Sequence, residues 1–302
     1  MRTAGLGALT KRNVKLYFKD KGMFFSSLIT PLILLVLYTT FLKNVFEDSF
    51  RGALDAAGAA VSDSIIGGCV GGQLVSSLLA VSCVTVAFCS NLLMVQDKIS
   101  GARRDLTVTP VHSGTLALSY YAASLLSTLI ISFAASAVCF AYLAAEGWYL
   151  STADVAAVIG DVSLLCLFGT ALSSCVNFPL TTQGQASAVG TIVSAGYGFI
   201  CGAYMPISQF SDGLQKVLSF LPGTYGTSML RNHALHGVFE EMSDHGFPDQ
   251  VIESIRDSVD CNIYFYGDKV SIGNMYIILP ASIAILVALY VLMNVIKAKR
   301  EK

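Results

Sequence analysis

Apolar residues run almost unbroken through six stretches of the chain: Met23 to Leu42, Ile65 to Val95, Leu116 to Leu143, Val155 to Val176, Ala186 to Tyr204 and Ile272 to Ile296. A helix that crosses a bilayer needs roughly 20 apolar residues and satisfies its own backbone there. Each stretch is therefore predicted to be a membrane-spanning helix. The second is overlong and is expected to tilt or to run on into an interface. Asn177 to Gln185 joins the fourth to the fifth, with Pro179 and Gly184 as turn residues. Ahead of the first span, Leu6, Leu9, Val14, Tyr17 and Phe18 interleave with Lys11, Arg12, Lys15 and Lys19. That pattern predicts a basic helix lying in the membrane surface over residues 1–22. The first span is too long for a signal peptide and no small-residue cleavage site follows closely. Residues 205–271 separate the last two spans. Their first part is mostly apolar and broken by Pro206 and Pro222, and it is expected to dip back into the outer leaflet as short helices covered by protein. Their second part, Phe239 to Asp268, is acidic and reads as a solvated cap with a short helix over Pro248 to Ser258. The fold class is an all-α integral membrane protein, a single domain over 1–302.

Composition agrees with this reading. Only 13% of the 302 residues are charged and 54% are apolar, with a mean hydropathy of +0.64, whereas a soluble domain carries about 25% charged residues. A second soluble domain of ~100 residues does not fit. The net charge of −1 conceals a segregation. Thirteen of the 19 Lys and Arg residues lie in the N-terminal segment, in the loop after the second span and in the C-terminal tail. Positive charge marks the cytoplasmic side, so both termini and that loop are expected in the cytoplasm of a bacterial plasma membrane, with the acidic cap outside. Seven of the eight cysteines lie in apolar runs, where cysteine acts as a small hydrophobe. Cys261 alone sits in a polar loop, and a Cys201–Cys261 bridge is disfavoured because spacing alone does not fix a pairing.

Candidate chemistry is sparse. No GxxxxGK[ST] phosphate loop, HExxH motif or GxSxG elbow occurs, so an enzyme reading has little support. His233, His236 and Glu240 share a helical face with metal-ligand spacing, but scattered polar residues on an interfacial helix explain them more simply. Asp161 is the one acidic residue inside a span, a position that is functional by default. It lies on the same helical face as Asp154, however, and closeness to the outer interface accounts for both. Two small-residue stripes repeat every four residues: Gly68, Gly72, Ser76 and Ala80 in span two, and Ala186, Gly190, Ser194, Gly198 and Gly202 in span five. Small residues let helix backbones approach closely in lipid, either within the chain or across a seam with a second copy. Nothing in the sequence calls for a nucleic-acid partner.

The segment Asp97 to Val111, DKISGARRDLTVTPV, is a charged island between two long apolar runs. A membrane body with no nucleotide site and a charged cytosolic knob needs a partner to supply work. With this island the chain resembles the membrane subunits of ABC-2 type transporters. The shared pattern is Asp97, Gly101, Leu106, Thr109, Pro110 and Val111, with Arg104–Asp105 in the reverse of the family's usual acidic–basic order. Gly202, Pro206, Leu221–Pro222, Tyr225 and Arg231 match its outer signature. The resemblance implies a coupling helix that docks on a separate ATP-binding subunit. Arg103, Arg104 and Asp105 would make polar contacts, Leu106 and Val108 would pack into the partner's cleft, and Gly101 and Pro110 would bound the helix. It further implies two ATP-binding subunits carrying ATP and Mg, a second membrane subunit as in a homodimer, and a path lined by spans one, two and five. The function so implied is that of a transmembrane permease subunit exporting a hydrophobic or amphipathic compound (a drug, an antibiotic or a lipid-like molecule) by alternating access. The alternatives are an ATP-independent channel or secondary transporter, which would carry midplane charges or broken helices at matched positions, and, less favoured, a membrane-embedded enzyme.

Overall fold

The computed structural model describes residues 4–56, 62–109 and 111–300. Helix α1 (Ala4–Lys19) carries the basic leader. Asp20 then caps α2 (Lys21–Leu37), its carboxylate accepting from the Met23 amide at 3.1 Å. A π-helical turn, Tyr38–Leu42, leads into α3 (Lys43–Ala56) and turns Tyr38 into the core, where its hydroxyl donates to the Ala203 carbonyl. Helices α4 (Asp63–Ile99), α5 (Ala102–Val108), α6 (Ser113–Glu146) and α7 (Thr152–Asn177) follow. Ser151 and Asp154 close a reciprocal capping box at the start of α7, and Thr182 and Gln185 do the same for α8 (Gln183–Ile200). Next come a 3₁₀ turn (Ile207–Gln209), α9 (Asp212–Leu218), α10 (Pro222–Asp244) and α11 (Asp249–Ser258). An antiparallel hairpin of β1 (Ile263–Phe265) and β2 (Asp268–Val270) pairs Ile263 with Val270 and precedes α12 (Ile272–Arg300).

Helix α4 is the axis of the fold. Its flanks are covered by α6, α7, α10, α2 and α8, and nearly all its residues from Ile65 to Val95 are buried. Glycine, serine, alanine and cysteine make this possible, because they let backbones close to within van der Waals contact where lipid offers no hydrophobic drive. A Cβ on Gly72 would meet the Leu235 side chain at 2.5 Å and the Ala234 carbonyl at 2.9 Å. The stripe Gly68, Gly72, Ser76 and Ala80 is thus buried inside the chain, and α4 offers no seam to a second copy.

Among the described residues, five helices are long and apolar enough to cross a membrane: residues 21–42, 63–99, 113–146, 152–177 and 272–297. These contain the first, second, third, fourth and sixth predicted spans. The fifth is shorter and more polar than expected. Helix α8 stops at Ile200, because Gly202 turns the chain with φ +75°, so its 18 residues cover about 27 Å at 1.5 Å each.

Residues 205–271 also differ from expectation. Besides the expected short helices, the 3₁₀ turn and α9, the segment contains α10, 23 residues long and started by Pro222 at its first turn. Met229, Leu230, Leu235 and Met242 on α10 are fully buried, and the helix packs between α4, α7 and α12. Phe239 and Met242, assigned from sequence to the solvated cap, belong to this buried helix. The short helix predicted over Pro248 to Ser258 is α11. The β hairpin is a small exception to the helical class. Cys201 and Cys261 are both buried, free thiols, as are Cys69, Cys83, Cys139 and Cys166.

Candidate functional site

The bundle has a basic end, where α1, α5 and the C-terminal part of α12 lie, and an acidic end formed by α10 to β2. At the basic end α4 terminates at Ile99. Gly101, at φ +83°, reverses the chain in a left-handed conformation that costs a Cβ-bearing residue energy. Its carbonyl then accepts from the Arg104 and Asp105 amides to open α5. Thr109 closes that helix, its hydroxyl donating to the Leu106 carbonyl at 2.6 Å. Pro110 lies outside the described residues.

Three anchors fix this turn. Asp97, 6% exposed, accepts from Arg12 at 2.7 and 3.3 Å and from the Tyr120 hydroxyl at 2.6 Å, tying α1, α4 and α6 together. Burial and this pairing are what an acidic residue at the end of a buried helix requires. Lys98 donates to the Asn177, Phe178 and Leu180 carbonyls, satisfying the C-terminus of α7. Arg103 lies 5.7 Å over the Phe178 ring and donates to Asn294 Oδ1 at 3.2 Å. Leu106 packs against the cluster of Met94, Leu116, Tyr120, Phe178 and Tyr290.

The predicted site residues therefore divide. Asp97, Arg103 and Leu106 face the chain's own core. Arg104, Asp105, Thr107 and Val108 stand outward, Val108 at 83% exposed. Sequence order gave no sign of this division, because it depends on which side of a seven-residue helix meets Phe178.

The small-residue stripe of α8 divides in the same way. Ala186 is buried, Gly198 closes on the Tyr204 ring, and Gly202 closes on Asp260 and Ile207. Only Gly190 and Ser194 stay partly open, and among the described residues no neighbouring side chain or strand of backbone lies within 4 Å of a Cβ built on Gly190.

At the acidic end the outer signature residues converge. Arg231, with no exposed surface, donates to the Gly202 carbonyl at 2.9 Å and to Ser77 Oγ at 3.2 Å, and its Nη1 lies 3.5 Å from Asp260 Oδ2. Asp260 also accepts from the Ile207 and Ser208 amides just after Pro206. Burial pushes its carboxyl above the ordinary range, with Arg231 and the two amides opposing the shift. Asp260 was lost among the acidic residues of the cap, since only the fold brings it 29 positions back to Arg231.

Asp161 is buried and has partners within the chain. It is 1% exposed, accepts from the Tyr276 hydroxyl at 2.8 Å, and lies 2.6 Å from His233 Nδ1. That hydrogen bond raises the His233 pKa against the opposing effect of burial. One turn further along α10, His236 lies 3.1 Å from Asp154 and 3.7 Å from Glu240. His233 thus fastens α10 to Asp161 of α7, and His236 lies beside Asp154, the other acidic residue on that face. Among the described residues no three His, Cys, Asp or Glu side chains are grouped to hold a metal ion.

This arrangement is a helical membrane body with an outward-facing knob at one end and a charge-locked returning helix at the other. No curated protein matches the chain. The family model for the ABC-2 type transporter matches residues 4–234, about three quarters of the length, and the chain belongs to the ABC-2 type transporter family, as a membrane-spanning permease component.

Proposed function

We propose that the chain is the permease subunit of an ATP-driven exporter, with the exposed face of α5 as its contact with a separate ATP-binding subunit. The observation that carries this reading is the contrast within α5. Arg104, Asp105 and Val108 are left bare on a turn whose other side is held by Asp97, Lys98 and Arg103. A rigidly held knob transmits displacement, whereas a loose one absorbs it. The excess of positive charge supports a cytoplasmic location for this end, where Arg104, Asp105 and Val108 would meet the partner's cleft. ATP and Mg would be held by two copies of that partner, and a second membrane subunit would complete the path. Residues 205–244 form the re-entrant part of the outer half, and the cargo is a hydrophobic or amphipathic compound moved outward across a bacterial plasma membrane.

The test is co-purification. With Val108→Glu and Arg104→Glu together, the chain should fold but lose the co-expressed ATP-binding subunit, and transport-linked ATP hydrolysis with it. Retention of both at wild-type levels would overturn the assignment. The rival reading, an ATP-independent transporter, draws support from the buried Asp161–His233 pair. It predicts that substrate movement survives without ATP and fails in Asp161→Asn.

A further inference from the structure

The face of the bundle between α2 and α6 carries a groove that the chain leaves unfilled. Both helices pack on α4, and where they diverge they leave a cavity of about 430 Å³. Leu28 and Leu32 form one wall, Ile130, Ala134 and Val138 the other, and Leu78 of α4 contributes to the lining. From Ile130 to Val138 the groove runs about 12 Å along the helix, close to the depth of one hydrocarbon leaflet.

One turn before Ile130 the character of the surface changes. A second hollow, between α1 and α6, is lined by Leu126 and Ala122 on α6 and by Lys11 and Lys15 on α1. The two hollows follow one another along α6, and along α1 through Lys15 to Phe18. No acidic side chain lines either of them. Lys11 and Lys15 are exposed, and neither has an ion-pair partner among the described residues. By contrast Arg12, between them in sequence, is turned inward to Asp97.

We propose that this surface is a binding site for one anionic phospholipid of the leaflet at the basic end, its acyl chain in the α2–α6 groove and its phosphate beside Lys11 and Lys15. The length of the groove, its wholly apolar walls and the two unpaired cations one helical turn beyond its end match the order of parts in such a lipid. A neutral phospholipid would fill the groove equally well but would gain nothing from the lysines. The inference needs only that the chain spans the bilayer, and it stands whether or not α5 docks on an ATP-binding subunit.

A tryptophan at the groove reports occupancy. Trp148 is the only native tryptophan, so Trp148→Phe with Ile130→Trp gives a single probe. The full chain is reconstituted in phosphatidylcholine vesicles containing either phosphatidylglycerol or phosphatidylcholine with brominated acyl chains, and quenching yields relative affinities. Each lysine near the surface should favour the anionic lipid by about fivefold, so the preference should be roughly tenfold or more, and it should fall with added salt. Lys11→Gln with Lys15→Gln should bring it close to one. Ala134→Phe, which fills the groove, should reduce quenching by both lipids. Native mass spectrometry of the chain with Ile130 unaltered gives a second readout: retained phosphatidylglycerol should disappear in the double lysine variant. Equal quenching by the two lipids, or a preference that survives loss of both lysines, overturns the proposal.

Discussion

Replacing Asp97 by Asn removes a charge from the junction of three helices. The carboxylate accepts two bonds from Arg12 and one from Tyr120, and the amide can keep only one acceptor while presenting a donor to the guanidinium. Breaking a buried ion pair costs about 3–5 kcal/mol. The Arg12 side chain is 31% exposed, however, so water recovers part of its solvation and the expected loss is about 2–3 kcal/mol. For a chain of this size that corresponds to a fall in apparent Tm of roughly 3–5 °C. The free cysteines supply the assay, because six of the eight are buried and become reactive toward a thiol-sensitive fluorophore as the bundle opens. A double-mutant cycle with Arg12→Gln isolates the pair. Arg12→Gln should cost less in the Asp97→Asn background than alone, with a coupling of about 1–2 kcal/mol. Purely additive losses would refute the reasoning, since they would mean that the two side chains act on stability separately.

Three further outcomes follow from the acidic end. Arg231→Met should destabilise by about 3–5 kcal/mol because it leaves Asp260 buried without its cation, and Arg231→Met with Asp260→Asn should recover part of that loss; thermal unfolding of the three chains measures both effects. The His233 pKa is raised in the fold by its bond to Asp161, with Asp154 adding to the shift and Tyr276 sharing the carboxylate. Its contribution to stability should be fully present below about pH 6.5, the ordinary histidine value, and lost as pH rises through the raised folded value. A Tm series from pH 5.5 to 9 should show that decline in wild type and not in His233→Gln. A Cβ on Gly237 would collide with the Tyr149 carbonyl oxygen, whereas one on Gly190 meets nothing among the described residues. Gly237→Ala should therefore prevent accumulation of folded protein, while Gly190→Ala should leave the Tm of the isolated subunit unchanged.

The long helices were legible because membrane solvation imposes a length and an apolarity that read directly from residues such as Leu116 to Leu143. The turn at Gly101 was legible for a related reason: the charges around it have no place in lipid. The facing of individual side chains was not. Arg103 and Arg104 are neighbours of one type, yet one lies over Phe178 and the other meets solvent, a difference fixed by helix phase and by a ring 75 positions from Arg103. Arg231 and Asp260 have the same character, since each looks like a loop charge until α10 packs against α4. Helix α10 escaped recognition as one element because Gly226, Arg231, Asn232 and His233 dilute its apolar pattern. Its burial is by protein on several sides rather than by lipid, so polar residues with partners are admitted. The stripe on α4 showed that close packing would occur but not with what, since small residues fit Leu235 as well as a second copy.

The unbroken run of α4 has a mechanical consequence. Its 37 residues form a rod about 55 Å long, joined to α5 through Ser100 and Gly101. As a lever of that length, a tilt of about 5° pivoting at one end carries the other through about 5 Å. Because its flanks are sheathed by α6, α7 and α10, such a tilt drags those helices with it, and the stroke is shared by a block of the bundle. A small angular impulse at Gly101 would thus reach Ser77 and the guanidinium of Arg231 as a displacement of whole helices.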